Sequence, residues 1–119
     1  MATPPLLWTP SDAQIANATI TDFARAVGKS GSYAELQAWS ASDLEGFWGA
    51  IWEHFGVIAH TPHDRVLGDR SMPGADWFGG ATLNYAENLL HGHANDAVAL
   101  HASSELHPHS YTWNWGLLR

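Results

Sequence analysis

The chain has 119 residues, which suits one small domain or part of a larger protein. Hydrophobic residues make up 45% of it and include 7 Trp, 4 Phe and 3 Tyr, a content that excludes a disordered chain. Asp and Glu outnumber Lys and Arg by 12 to 5, and the cations are scattered. This balance argues against nucleic acid and anionic membranes as partners, because both require a basic patch.

Targeting signals are not apparent in the sequence. The segment Met1–Pro10 has no basic residue and no long apolar run, so it does not resemble a secretory signal. No stretch approaches the roughly 20 apolar residues of a membrane helix. Cys is absent, so disulfides and thiolate metal sites are excluded. We therefore expect a soluble, cytoplasmic protein.

Helix signals dominate the first half of the chain. Thr9 is a candidate N-cap, followed by Pro10 at the first helical position. Apolar residues then continue at roughly helical spacing to Gly28, which predicts either one helix broken near Asn17 or two short helices. Ser32 begins a capping-box pattern that predicts a second helical segment ending near residue 40.

The clearest periodic pattern follows Ser42, a candidate N-cap. Its apolar residues recur at i, +3, +4, +7, +8 and +11, which predicts one apolar face of an α-helix that ends at Gly56. These residues are Leu44, Phe47, Trp48, Ile51, Trp52 and Phe55. Such a face favours packing in a core, and lining a ligand groove is the alternative.

The second half of the chain mixes a loop, a short helix and strands. Residues 60–80 have the composition of a loop with apolar anchors, and Asn84 is a candidate cap for a short helix. The segments Ala97–Ala102 and Ser110–Trp113 predict a β-hairpin. The predicted fold class is therefore α+β, mostly helical with a carboxyl-terminal hairpin.

No constellation of residues predicts catalysis. The glycines form neither phosphate-binding pattern, the one lysine is Lys29, and the nucleophile elbow GxSxG is absent. Paired histidines such as His91 and His93 could chelate a metal, but a site also needs ligands from a second element. We interpret the histidines as solvated and assign no catalytic, cofactor-binding or metal-ligating residue.

Three segments resemble the acetoacetyl-CoA synthetases in the correct order. The segment Leu7–Ser11 resembles the family's opening L-W-x-P-S, and Tyr33–Trp48 resembles its Y-x-x-L-x-x-W-S-x-x-D-x-x-x-F-W run. Met72–Leu90 resembles the block M-P-G-A-x-W-F-x-G-A-x-L-N-Y-A-E-N-L-L. Three residues depart from this block. The family usually has a basic residue where this chain has Asp76 and Thr82, and proline where it has Gly79. After Trp113, the residues Asn114, Trp115 and Gly116 break the family's usual continuation into a helix.

The resemblance implies the amino-terminal fragment of a larger α/β adenylate-forming ligase. In the full-length enzyme, acetoacetate, ATP and CoA would give acetoacetyl-CoA, AMP and pyrophosphate, with Mg²⁺ at the phosphates. The phosphate loop and catalytic lysine of the family lie downstream of the matched region, so no catalytic residue is transferred to this chain. Residues 1–95 would be the helical amino-terminal domain, and 96–119 the hairpin that begins the large adenylation domain.

The implied role of this chain is structural, with the large adenylation domain as its partner. The residues expected to dock on that domain are Trp48, Trp52, Trp77, Phe78, Leu83, Tyr85 and Leu89. In isolation they would form an apolar patch that favours self-association. The alternative is a stand-alone helical protein-interaction module derived from the same domain.

Overall fold

A computed structural model describes residues 5–29 and 32–119. The chain divides into two units, one with the residues up to Gly56 and Asp64–Gly79, the other with Val57–His63 and Gly80–Arg119. The described helices are α1 (Asp12–Ala16), α2 (Thr19–Ala26), α3 (Tyr33–Ser42), α4 (Leu44–His54), α5 (Tyr85–Leu90) and α6 (Trp115–Leu118). The described strands are β1 (Arg65–Leu67), β2 (Trp77–Gly79), β3 (Val98–Ser104) and β4 (His107–Asn114). This mixture of helices and small antiparallel sheets confirms the predicted α+β class.

Most of these helices have an N-cap residue whose side chain bonds the first turn. Two of these N-caps differ from the predicted ones. Ser32 and Asn84 cap α3 and α5, as predicted. Ser11, and not Thr9, caps α1, because its hydroxyl accepts from the Gln14 backbone while the Gln14 side chain bonds back. Helices α1 and α2 are separate, as one of the two predicted alternatives has it, and α2 starts after Ala18 without a side-chain cap.

The start of α4 shows the second difference. Asp43, and not Ser42, is the N-cap, and its carboxylate accepts from the Gly46 N–H at 3.0 Å. A carboxylate is favoured there because it satisfies a free amide and faces the positive end of the helix dipole. Ser42 instead lies in the last turn of α3. The two helices therefore follow each other without a loop.

The first unit is organised around one aromatic ring. Phe23 of α2 is 3% exposed, and Leu36 and Leu67 are the other buried apolar side chains among the described residues. The Phe23 ring stacks on Trp39 at 6.4 Å and meets Phe47 edge-on at 5.8 Å. Helix α4 itself contributes no fully buried side chain, so its apolar face is only partly covered.

Two short strands lie within the region whose composition predicts a loop. Strands β1 and β2 pair antiparallel, with Arg65 opposite Gly79 and Leu67 opposite Trp77. Helix α4 approaches β1 closely, since a Cβ added at Gly49 would lie 3.3 Å from Val66. Strands of three residues carry too little alternation to be recognised in a sequence.

The second unit joins a short helix to a hairpin. Asn88 of α5 bonds both backbone groups of Ile58, accepting from its N–H at 2.8 Å and donating to its carbonyl at 2.9 Å. Strands β3 and β4 pair antiparallel, which confirms the predicted hairpin. After it, Asn114 caps the one-turn helix α6, so the residues that break the family pattern still form a helix.

Candidate docking surfaces

Four of the predicted docking residues lie together in the first unit. Trp48 of α4 and Trp77 of β2 meet edge-to-face, with ring centroids 5.8 Å apart. Trp52 of α4 stacks on Phe78 of β2 at 4.5 Å. The backbone of Phe78 has φ 49°, an unusual conformation for a residue with a side chain. We call these four residues the aromatic patch.

The aromatic patch is only partly covered by its own unit. Trp48 is 41% exposed and Trp77 is 39% exposed, while Trp52 and Phe78 are half-buried. A tryptophan that is fully buried removes about 150–250 Å² of surface from water. A partner that packs on the patch could therefore still cover much of the Trp48 and Trp77 indoles. Paired rings held at fixed angles are suited to packing, and they carry no group that could activate a substrate.

The other three predicted docking residues lie at helix α5 of the second unit. Leu83 precedes the Asn84 cap, and all three side chains are exposed. Tyr85 and Leu89 are four residues apart, which puts them on one face of the helix. The structure therefore groups the seven predicted residues into one set in each unit.

An apolar face of the hairpin was missed by the sequence interpretation. Leu100 lies opposite Trp113 and Ala102 lies opposite Tyr111, and these four line one open depression. The intervening pair is polar, since His101 bonds the Thr112 hydroxyl at 3.3 Å. Alternation along the strands is the signal that could have identified this face. Leu100, Tyr111 and Trp113 are 43–53% exposed.

In the part of the chain that the structure describes, three pKa shifts have local hydrogen bonds at the surface as their main cause. The Gly46 N–H, followed by the Trp39 indole N–H, lowers the pKa of the Asp43 carboxyl. The Ser71 hydroxyl and amide lower the pKa of Asp69, and the bond to Asp76 raises the pKa of Arg65. These causes are a helix cap, a turn and an ion pair, so they do not indicate an acid–base site.

Two departures from the family pattern have partners in this structure. Asp76 pairs with Arg65 across the β1–β2 hairpin at 2.7 Å. Thr82 donates its hydroxyl to Thr61 at 2.9 Å, beside the backbone bridge between the same two residues. The substituted side chains are therefore used in local contacts within each unit.

An open groove of about 370 Å³ lies between α1, α2 and α3 in the first unit. Two of its polar side chains have partners, because the Thr21 hydroxyl donates to the Ile15 carbonyl and Arg25 pairs with Asp22. Among the residues that the structure describes, no group of three His, Asp or Glu is arranged to hold a metal ion. Within the same residues, no helix has the length and apolar character to cross a membrane.

Comparisons with known proteins point to one group of enzymes. A family model described as acetyl-coenzyme A synthetase N-terminus matches residues 33–89. The acetoacetyl-CoA synthetase of Rattus norvegicus is 35% identical over 108 residues, covering 84% of this chain and 16% of the relative. That of Xenopus tropicalis is 42% identical over 77 residues, covering 62% of this chain and 11% of the relative.

A solved structure agrees with these sequence relatives. The acetoacetyl-CoA synthetase from Streptomyces lividans matches with a TM-score of 0.82 and 45% sequence identity. The match covers 95% of this chain and 19% of that chain. The chain thus spans less than a fifth of the length of each of these three relatives.

Proposed function

Because the chain is homologous to the amino-terminal region of acetoacetyl-CoA synthetases, we propose that it is the structural amino-terminal region of such a ligase. The observation that carries this proposal is the match of 95% of the chain to 19% of the Streptomyces lividans enzyme. Residues 1–95 would form the helical amino-terminal domain. Residues 96–119 would provide the hairpin that begins the large adenylation domain.

The full-length enzyme would activate acetoacetate in two steps. The substrate carboxylate attacks the α-phosphate of ATP, which forms acetoacetyl-AMP and releases pyrophosphate. The CoA thiolate then attacks the acyl carbon, forming the thioester and releasing AMP. Mg²⁺ would stabilise charge on the phosphates. The described residues of this chain would contribute to these steps only by supporting the fold.

The large adenylation domain is the proposed partner of both docking sets. The aromatic patch would pack on it from the first unit, and Leu83, Tyr85 and Leu89 from the second. Exposed apolar side chains of this size support the proposal, because soluble monomers rarely leave large contiguous apolar patches uncovered. In the isolated chain, the same surfaces would favour self-association. The proposed location of the protein is the cytoplasm.

A chimaera tests this proposal directly. Residues 1–119 would replace the matching segment of the Streptomyces lividans enzyme, and acetoacetate-dependent exchange of pyrophosphate into ATP would be measured. We expect activity from the chimaera, none from the 119-residue chain alone, and little from the enzyme lacking its own segment. Exchange by the isolated chain, or a folded chimaera without activity, would contradict the proposal.

The same experiment separates the alternative of a stand-alone interaction module. That alternative predicts a 119-residue chain that is a stable monomer or a defined oligomer at all concentrations and does not restore the truncated enzyme. Light scattering measures the first property and the exchange assay measures the second.

A further inference from the structure

The connection between α5 and β3 is held by the side chain of Arg119. Its Nε and Nη2 donate to the carbonyl oxygens of Leu90 at 2.9 Å and His93 at 2.7 Å. Its Nη1 donates to Asn95 Oδ1 at 2.5 Å. A guanidinium has donors fixed in a planar fork, which allows it to bind several acceptors at once.

Helix α6 contacts the same connection through its backbone and one ring. The Gly116 N–H donates to the Asn95 carbonyl at 2.9 Å, and the Trp115 N–H donates to the Ala97 carbonyl at 3.1 Å. The Trp115 ring stacks on the His93 ring, with centroids 3.8 Å apart and planes 11° apart. We call the interactions of Arg119, Trp115 and Gly116 with residues 90–97 the clasp.

The fit of the clasp leaves little room at Gly116. A Cβ added there would lie 3.2 Å from the Asn95 carbonyl oxygen and 3.3 Å from the Asn95 Cβ. A larger residue would therefore push the connection away from α6. Arg119 is also the one Lys or Arg in the sequence of the second unit, and its guanidinium binds backbone and amide oxygens.

We infer that Arg119 is a positioning residue that holds α5 and the β3–β4 hairpin in one fixed arrangement. The Leu90 carbonyl lies at the end of α5, where a cation is favoured by the helix dipole. The other contacts reach the residues that lead into β3. In the proposed ligase, and resting on that proposal, the clasp would hold Leu89 and the apolar face of the hairpin in fixed positions for packing against the rest of the adenylation domain.

Hydrogen exchange and NMR of the full 119-residue chain test the clasp. In Arg119→Ala, exchange of the Trp115 and Gly116 amides should rise at least about tenfold, because charged hydrogen bonds are lost. The upfield ring-current shift that Trp115 imposes on the His93 ring protons should disappear. Amides of α4 serve as an internal reference and should not change. Arg70→Ala is the matched control, since that arginine pairs with Glu45 in the first unit.

Milder variants keep the test decisive if Arg119→Ala unfolds the second unit. Asn95→Ala removes one side-chain acceptor, and Arg119→Lys keeps the charge without the fork, so both should raise the same exchange rates by less. Unchanged exchange and an unchanged His93 shift in Arg119→Ala and Asn95→Ala would overturn the inference. These measurements need no ligase partner, so they succeed or fail separately from the chimaera.

Discussion

The indole N–H of Trp39 donates to Oδ2 of Asp43 at 3.1 Å, which links the end of α3 to the start of α4. The other carboxylate oxygen of Asp43 accepts from the Gly46 N–H. On the Trp39 ring, Lys29 Nζ lies 5.6 Å from the centroid, and Phe23 stacks at 6.4 Å. One tryptophan therefore contacts the helix cap, a cation and the buried ring of the first unit.

This arrangement predicts a pH dependence of stability. The bond from Gly46, then that from Trp39, lowers the pKa of Asp43 in the folded state relative to the unfolded value of about 3.9. The folded state therefore gains stability above the unfolded pKa, and loses it as the pH falls through the folded pKa. Urea unfolding between about pH 5 and pH 2 should show this loss, and Asp43→Asn should make it smaller.

Glu53→Gln is the control for this experiment, because it removes a carboxylate from the same helix away from its cap. The pKa of Asp69 is also lowered, by its bonds to Ser71, so this residue adds to the loss of stability at low pH. Asp43→Asn should therefore remove only part of that loss. If Asp43→Asn leaves the pH dependence of the unfolding free energy unchanged, the cap does not stabilise the fold through its charge.

Gly46→Ala should destabilise the chain, although alanine is the better helix former by about 1 kcal/mol. A Cβ at Gly46 would collide with the Asp43 carboxylate, which would have to leave its bond to the helix N-terminus. In an Asp43→Ala background the collision is removed, and the same substitution should become stabilising. Chemical denaturation of the four proteins measures this reversal of sign, and stabilisation in both backgrounds would contradict it.

Leu36→Ala and Leu7→Ala remove the same atoms from opposite environments. Leu36 is 6% exposed, whereas Leu7 is 92% exposed. We expect Leu36→Ala to lower the free energy of unfolding by about 2–5 kcal/mol, and Leu7→Ala to change it by less than about 0.5 kcal/mol. Equal effects of the two substitutions would refute the described core of the first unit.

Polar substitutions in the aromatic patch should have different effects in the isolated chain and in the chimaera. Trp48→Gln with Trp77→Gln should reduce self-association of the chain, because less apolar surface is exposed. In the chimaera the same change should weaken docking, by about 2 kcal/mol or more if both indoles are central to the interface. Leu106→Gln, which changes an 87% exposed side chain in the hairpin turn and outside the patch, is the control. Thermal unfolding and light scattering report the two effects, and a chimaera insensitive to the change would exclude the patch as a docking site.

Sequence patterns identified the elements whose signals are local. Ser32 and Asn84 were recognised as caps because a cap bonds an amide only two or three residues away. The hairpin was recognised because its strands are long enough to show their composition. The family resemblance came from contiguous residues, above all the block Met72–Leu90, and needed no spatial information.

The tertiary structure decided which of two adjacent candidate N-caps is used and which distant residues are in contact. Asp43 was selected over Ser42 because the Trp39 indole reaches it from the preceding helix. The short strands β1 and β2 exist because they pair with each other and lie against α4, which a window of three residues does not reveal. Arg119 meets Leu90 across 29 positions of the chain. Such contacts depend on packing and burial of the whole unit, whereas sequence patterns report the energetics of neighbouring residues.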